Sequence, residues 1–138
     1  MGGAAMSGEL DLGALMRGLQ GTLIDGVFVF ATVKRVPEGL ATRMVFEEAE
    51  GTTVICLREE AEAHGIEFEF PSRMITLDVH SSLEAVEFMA VIATELAKEG
   101  MGVNPVAGFY HDHIFVPDRR EVDAMRVLER IAEEAVKA

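Results

Sequence analysis

A chain of 138 residues has room for one or two small units and for no larger plan. Its 49% hydrophobic content can fill a core, which excludes a disordered chain. Its 24 acidic against 12 basic side chains, a net charge of -12, repel the phosphates of nucleic acids and of anionic membrane faces. The single cysteine, Cys56, allows no internal disulfide. Met1 to Ala5 lacks the basic and apolar regions of a signal peptide, and no apolar run is long enough to span a bilayer. The expected location is the cytoplasm.

Residues 1–8 are small and flexible in composition. Asp11 can cap a helix of about two turns whose stripe is Leu12, Leu15, Met16 and Leu19. Asp25-Gly26 turns into Val27 to Val33, an apolar run suited to a strand covered on both faces. Thr42 to Glu47 and Thr52 to Leu57 form a hairpin around Glu50-Gly51. Arg58 to His64 is a short helix closed by Gly65. Ile66, Phe68 and Phe70 alternate as in a strand that Pro71 stops.

Arg73 to Val79 is a further strand. Ser81 and Glu84 have the spacing of a capping box, which opens a helix with a stripe through Leu83, Val86, Ala90, Ala93 and Ala97, widened by Met89, Ile92 and Leu96. Gly100 ends it. Strands follow over Val103 to Phe109 and His113 to Pro117, with Asn104-Pro105 marking a bulge or an edge. Asp118 and Glu121 repeat the capping pattern before a last helix, with Val122, Met125, Leu128, Ala132 and Ala135 facing inward. The two halves, 1–71 and 72–138, have related element order. Neither is a complete βαββαβ unit, the first lacking an opening strand and the second a closing one. The halves are therefore expected to share strands or to pack side by side, with a homodimer covering what edges remain.

The segments Met74 to Val86, with its run His80-Ser-Ser-Leu-Glu-Ala-Val86, and Asn104 to Val116, with Tyr110-His-Asp-His-Ile-Phe-Val116, resemble the ACT domain. The chain from Asp11 to Ile131 resembles small bacterial proteins built from two ACT-like units. The resemblance implies an α+β, ferredoxin-like fold: two tandem units with antiparallel sheets and helices on one face. It further implies a regulatory or sensor role toward amino acids, without catalysis. The ligand of an ACT unit sits near the loop after the first strand, here Val79 to Ser82 with Leu83 at its end.

In a βαββαβ sheet that loop shares an edge with the turn between the second and third strands. Asp78, His80, Ser81 and Ser82 should therefore lie near Tyr110, His111, Asp112 and His113. Free amides after Ser81 suit a carboxylate, the acidic Asp78 and Glu84 suit an ammonium or guanidinium group, and Asn104 can donate and accept. The ligand-binding set is Asp78, His80, Ser81, Ser82, Leu83 and Asn104. An alternative uses His80, His111 and His113 for a metal or for acid–base chemistry. Another is a ligand-free interaction module with a protein partner. No cofactor and no catalytic residue is expected. Cys56 lies in an apolar strand and the methionines on core stripes, so both are assigned to packing.

Overall fold

The computed structural model describes residues 8, 10–82, 85 and 87–138. Its elements run α1 (Leu12–Arg17), β1 (Gly21–Leu23), β2 (Phe28–Val33), β3 (Met44–Glu47), β4 (Thr52–Leu57), α2 (Arg58–Ala63), β5 (Glu69–Leu77), α3 (Phe88–Lys98), β6 (Asn104–Ala107), β7 (Asp112–Pro117) and α4 (Glu121–Lys137). The expectations for Leu83, Glu84, Val86 and residues 1–7 lie outside the described residues.

All the strand pairings are antiparallel, and they form one sheet in the order β3-β4-β2-β5-β7-β6, with β1 also paired to β5. The nine residues of β5 organise it. Its first part pairs with β2 through Ser72↔Phe28 and Glu69↔Phe30, and its second part with β1 through Ile75↔Leu23 to Leu77↔Gly21. One strand thus closes the first βαββαβ-like unit and opens the second, and β1 from the N-terminal half closes the second. The first unit has its opening strand, β2, but no helix between β2 and β3 among the described residues.

The core has three parts. Ile75, Leu77, Ile114 and Val116 meet α1, α3 and α4 through Leu15, Ile92, Leu96, Val127, Leu128 and Ile131. On the same side of the first unit, Val29, Ala31, Val54 and Cys56 meet Ala61 of α2. On the other face Phe28, Ile55, Met74 and Phe115 form one cluster across both units, with Phe28 and Phe30 edge-on to Phe115. The strand expected over Val27 to Val33 is therefore covered on both faces from Phe28 to Ala31, and exposed at Thr32.

Three boundaries and two helix faces differ from the sequence reading. Pro71 does not stop a strand. It lies inside β5 beside Phe70, whose φ of 54° falls in the bulge between the Ser72↔Phe28 and Glu69↔Phe30 pairs. Helix α3 starts at Phe88 rather than near Ser81, after Glu87 in a left-handed conformation (φ 72°) with no side-chain cap. Its buried stripe is Phe88, Ile92 and Leu96, while Ala90 and Ala97 are exposed. Asp118 does not cap α4; its amide donates to Pro71 O at 3.0 Å, and the helix starts at Glu121 behind Arg120. Val122, expected inside, is 63% exposed, because the buried stripe is Ala124, Val127, Leu128 and Ile131.

Candidate functional site

The loop after β5 and the hairpin turn between β6 and β7 meet at one edge of the sheet. The turn is closed by the Gly108 amide donating to His111 O at 2.9 Å. From the turn, His111 donates through Nδ1 to Val79 O at 3.2 Å. From the loop, the Ser81 hydroxyl donates to Asp112 Oδ2 at 2.9 Å. Ser81 is only 6% exposed, so this bond satisfies a buried hydroxyl that no helix start is using. The His80 ring lies 5.4 Å from that of Tyr110, which stands edge-on to Phe109 at 5.1 Å. Both Phe109 and Tyr110 are more than half exposed, giving the edge an aromatic rim.

His80, Ser81, Tyr110, His111 and Asp112 are thus brought together. Among the described residues His80 Nε2 is buried without a hydrogen-bond partner, an unspent polar atom at this edge. Asp78 stands at the end of β5, where its carboxylate accepts from Thr22 Oγ1 and its amide donates to Gln20 O at 2.7 Å. It is tied to β1, so its charge is turned partly away from the loop. Ser82 is half-buried beside Ser81, and its carbonyl accepts from Ala85 N at 3.0 Å. Leu83 lies outside the described residues. Asn104 stands apart: it pairs with Phe115, at the end of β6 remote from the Ala107↔Asp112 pair that leads into the turn.

The histidines go to separate partners. His113 shares a 3.0 Å hydrogen bond between Nδ1 and Thr76 Oγ1 across β5 and β7, and lies on the sheet face away from the helices. Burial holds its pKa below the ordinary histidine value; His111 and Arg43 add to that effect and Asp112 opposes it. Among the described residues no group of three or more His, Cys, Asp or Glu side chains is arranged to hold a metal ion. Cys56 is buried, and burial followed by Glu60 pushes its thiol pKa up, which keeps it a poor nucleophile. No described helix is long and apolar enough to cross a membrane.

Two contributors were not anticipated from sequence. Thr22, in a three-residue strand, holds Asp78. Gly8 packs against the main chain of His80 to Ser82 so closely that a Cβ there would lie 2.2 Å from His80 O. Only the permissiveness of glycine toward close backbone approach hinted at the second. A groove of about 1220 Å³ opens elsewhere, in the first unit, between β2 and residues 65–69.

The ACT-domain family matches twice, over residues 7–73 and 69–130. The two matches overlap on the start of β5, the strand that the units share. No curated protein matches the chain. Among solved structures, a protein of unknown function from Vibrio cholerae, described as a possible transport protein, is 37% identical, with a TM-score of 0.80 over 88% of this chain and 95% of that one. The aspartate kinase of Clostridium acetobutylicum matches at 11% identity and TM-score 0.63, over 82% of this chain and 34% of the kinase. The ligand-free regulatory subunit of aspartate kinase from Thermus thermophilus matches at 12% identity and TM-score 0.58, over 80% and 95%. The two kinase likenesses show the fold alone. With both matches laid end to end on one shared sheet, the chain belongs to the ACT-domain family and carries two ACT units in tandem.

Proposed function

We propose that the protein is an amino-acid-binding regulatory unit without catalytic activity, and that its ligand engages the edge formed by His80, Ser81 and Ser82 with Tyr110 and Asp112. ACT domains typically bind amino acids and regulate, and regulatory subunits of aspartate kinase share this fold. The observation that carries the reading is the convergence at this edge: the Ser81–Asp112 bond locks the loop to the hairpin turn, and beside it His80 Nε2 is left unpartnered. An amino acid offers both missing elements, a carboxylate to accept from an imidazole and an ammonium group to face Asp112. Leu83, outside the described residues, and Asp78, whose carboxylate is held by Thr22, stay in the proposed set. Asn104 is too far along β6 to take part.

Ligand binding at such an edge works by favouring one packing of loop and hairpin over another, so its strength is set by the difference in affinity between the two. The same edge is where a second copy of the chain could complete the site, a homodimer being the assembly this reading favours.

The test is a thermal melt against the twenty amino acids at millimolar concentration. A ligand at about 100 times its dissociation constant adds about 2.7 kcal/mol to the folded state. A rise with one or two amino acids that is lost in His80→Ala supports the site. A flat panel, or a rise that His80→Ala leaves intact, removes it.

A further inference from the structure

Thr32 faces a gap in the sheet. The Arg58 amide donates to Val27 O at 2.8 Å, and Phe28 pairs with Leu57. By the alternation of an antiparallel ladder, residues 27, 29, 31 and 33 then bond to β4, while 28, 30 and 32 turn their N–H and C=O the other way. On that other side Phe28 meets Ser72 and Phe30 meets Glu69, and the pairing stops there. No residue of β5 is in register with Thr32. In its place is the groove of about 1220 Å³, whose far wall is Gly65 to Glu69.

The far wall is built for pairing as well. Ile66, Phe68 and Phe70 alternate as a strand does, and Ile66 and Phe68 pack on the first unit's core. Yet residues 66–68 form no strand. In the second unit the equivalent pairing, β1 on β5, is closed in register over three residues. The first unit therefore holds a short strand edge whose outward donor and acceptor at Thr32 are bare among the described residues, an apolar floor, and an opposed segment with strand periodicity. The volume exceeds the roughly 300–1,000 Å³ of ordinary small-molecule sites. Glu67 and Glu69 line it against the single cation Lys34, and none of the three makes an ion pair among the described residues.

The geometry points to a peptide-binding slot: the groove takes an extended segment of a partner protein, apolar at its centre and basic at its flanks, as an added strand on Thr32. The guest's central residue exchanges two main-chain hydrogen bonds with Thr32, and its flanking apolar side chains lie on the helix side, with Ala31, Val33 and Phe68. Its basic residues meet Glu67 and Glu69. This site is separate from the His80 edge and does not depend on it.

The test measures amide hydrogen exchange with an acetylated, amidated peptide Lys-Val-Thr-Val-Lys as probe, a Glu-flanked version of the same peptide, and free valine and lysine as small-molecule controls. The expected result is that the Lys-flanked peptide slows exchange at Thr32, Glu67 and Phe68 by roughly tenfold or more, that Ile66, whose amide already donates to Ala61 O, changes little, and that the controls do not have this effect. Thr32→Pro removes only the donor that points into the groove, so it should abolish binding and leave the melting temperature close to wild type. Glu67→Lys, at an exposed position, should erase the preference for the Lys-flanked peptide. The proposal is overturned by any of three results: an already protected Thr32 amide in the free protein, no peptide protection at millimolar concentration, or equal protection by free valine. Undiminished binding by Thr32→Pro would overturn it too.

Discussion

Arg73 is the strongest lever on how the two units are held together. It sits in the middle of the shared strand β5 and donates from Nη1 to Glu121 Oε2 at 3.0 Å, from Nε to Gly26 O at 2.9 Å, and from Nη2 to Ile24 O at 3.4 Å. One side chain thus ties the turn between β1 and β2 to the start of α4. The side chains of Arg73 and Glu121 are 17% and 19% exposed, so water replaces little of what is lost, and Glu121 Oε1 already lacks a partner. Removing one member of a buried pair leaves the other charge uncompensated, at a cost of about 3–5 kcal/mol. The residual exposure puts Arg73→Met near the lower end, about 3 kcal/mol, or on the order of 10 °C in melting temperature. Arg73→Met with Glu121→Leu removes both charges and should recover all but about 1–2 kcal/mol, the share of the two carbonyl bonds. The assay is urea unfolding followed by two probes, whose coincident transitions justify a two-state reading. A single variant that loses less than about 1 kcal/mol, or a double variant no more stable than the single, would refute the reasoning.

Two further outcomes follow from the site. Ser81→Ala removes a bond from a buried hydroxyl to a carboxylate; because Asp112 is only half-buried and can rehydrate, the loss should be about 1.5 kcal/mol by denaturant unfolding, with altered His80 ring resonances. His113, whose pKa is lowered in the fold, binds fewer protons than in the unfolded chain just below the ordinary histidine value of 6.5. Its share of stability is therefore complete above that value and is lost as pH falls through the folded pKa. A pH series of melts on wild type and His113→Gln should show the variant with the flatter acid limb, and identical limbs would contradict the assignment.

The strands were legible where the sequence speaks locally. The unbroken run of β2, the Glu50-Gly51 turn and the β7 segment all appear within two residues of expectation, because turn chemistry and a two-sided core act on neighbouring residues. The starts of α1, capped by Asp11, and of α2 at Arg58 were legible as well, but those of α3 and α4 were not, for a non-local reason. The capping box at Ser81 has the right spacing, but its hydroxyl is taken by Asp112, 31 residues away, and the backbone of Asp118 is held in the sheet layer by its amide bond to Pro71 O, so that α4 begins three residues later behind Arg120. The phase of α4 was displaced at its first turn, where Val122 is apolar yet exposed. For the site, fold order alone placed the loop beside the hairpin turn. It could not show that Asp78 would be held by Thr22, since β1 reaches β5 across more than 50 residues of chain. Asn104 was included for its chemistry, and the length of β6 carries it away.

The asymmetry between the units explains why one carries a locked edge and the other an open groove. The second unit buries Ile75, Leu77, Ile114 and Val116 under helices of 11 and 17 residues, and those contacts press β1 and β5 into full register. The first unit covers Val29, Ala31, Val54 and Cys56 with a six-residue helix and, among the described residues, no helix between β2 and β3. Less apolar area is then available to force Ile66 to Phe68 onto Thr32, and low local burial is the condition under which a segment opens at small free-energy cost. Strand β5 passes through both environments: it begins at Glu69 on the groove and ends at Leu77, next to Asp78 at the loop edge. Its middle is fixed by Arg73.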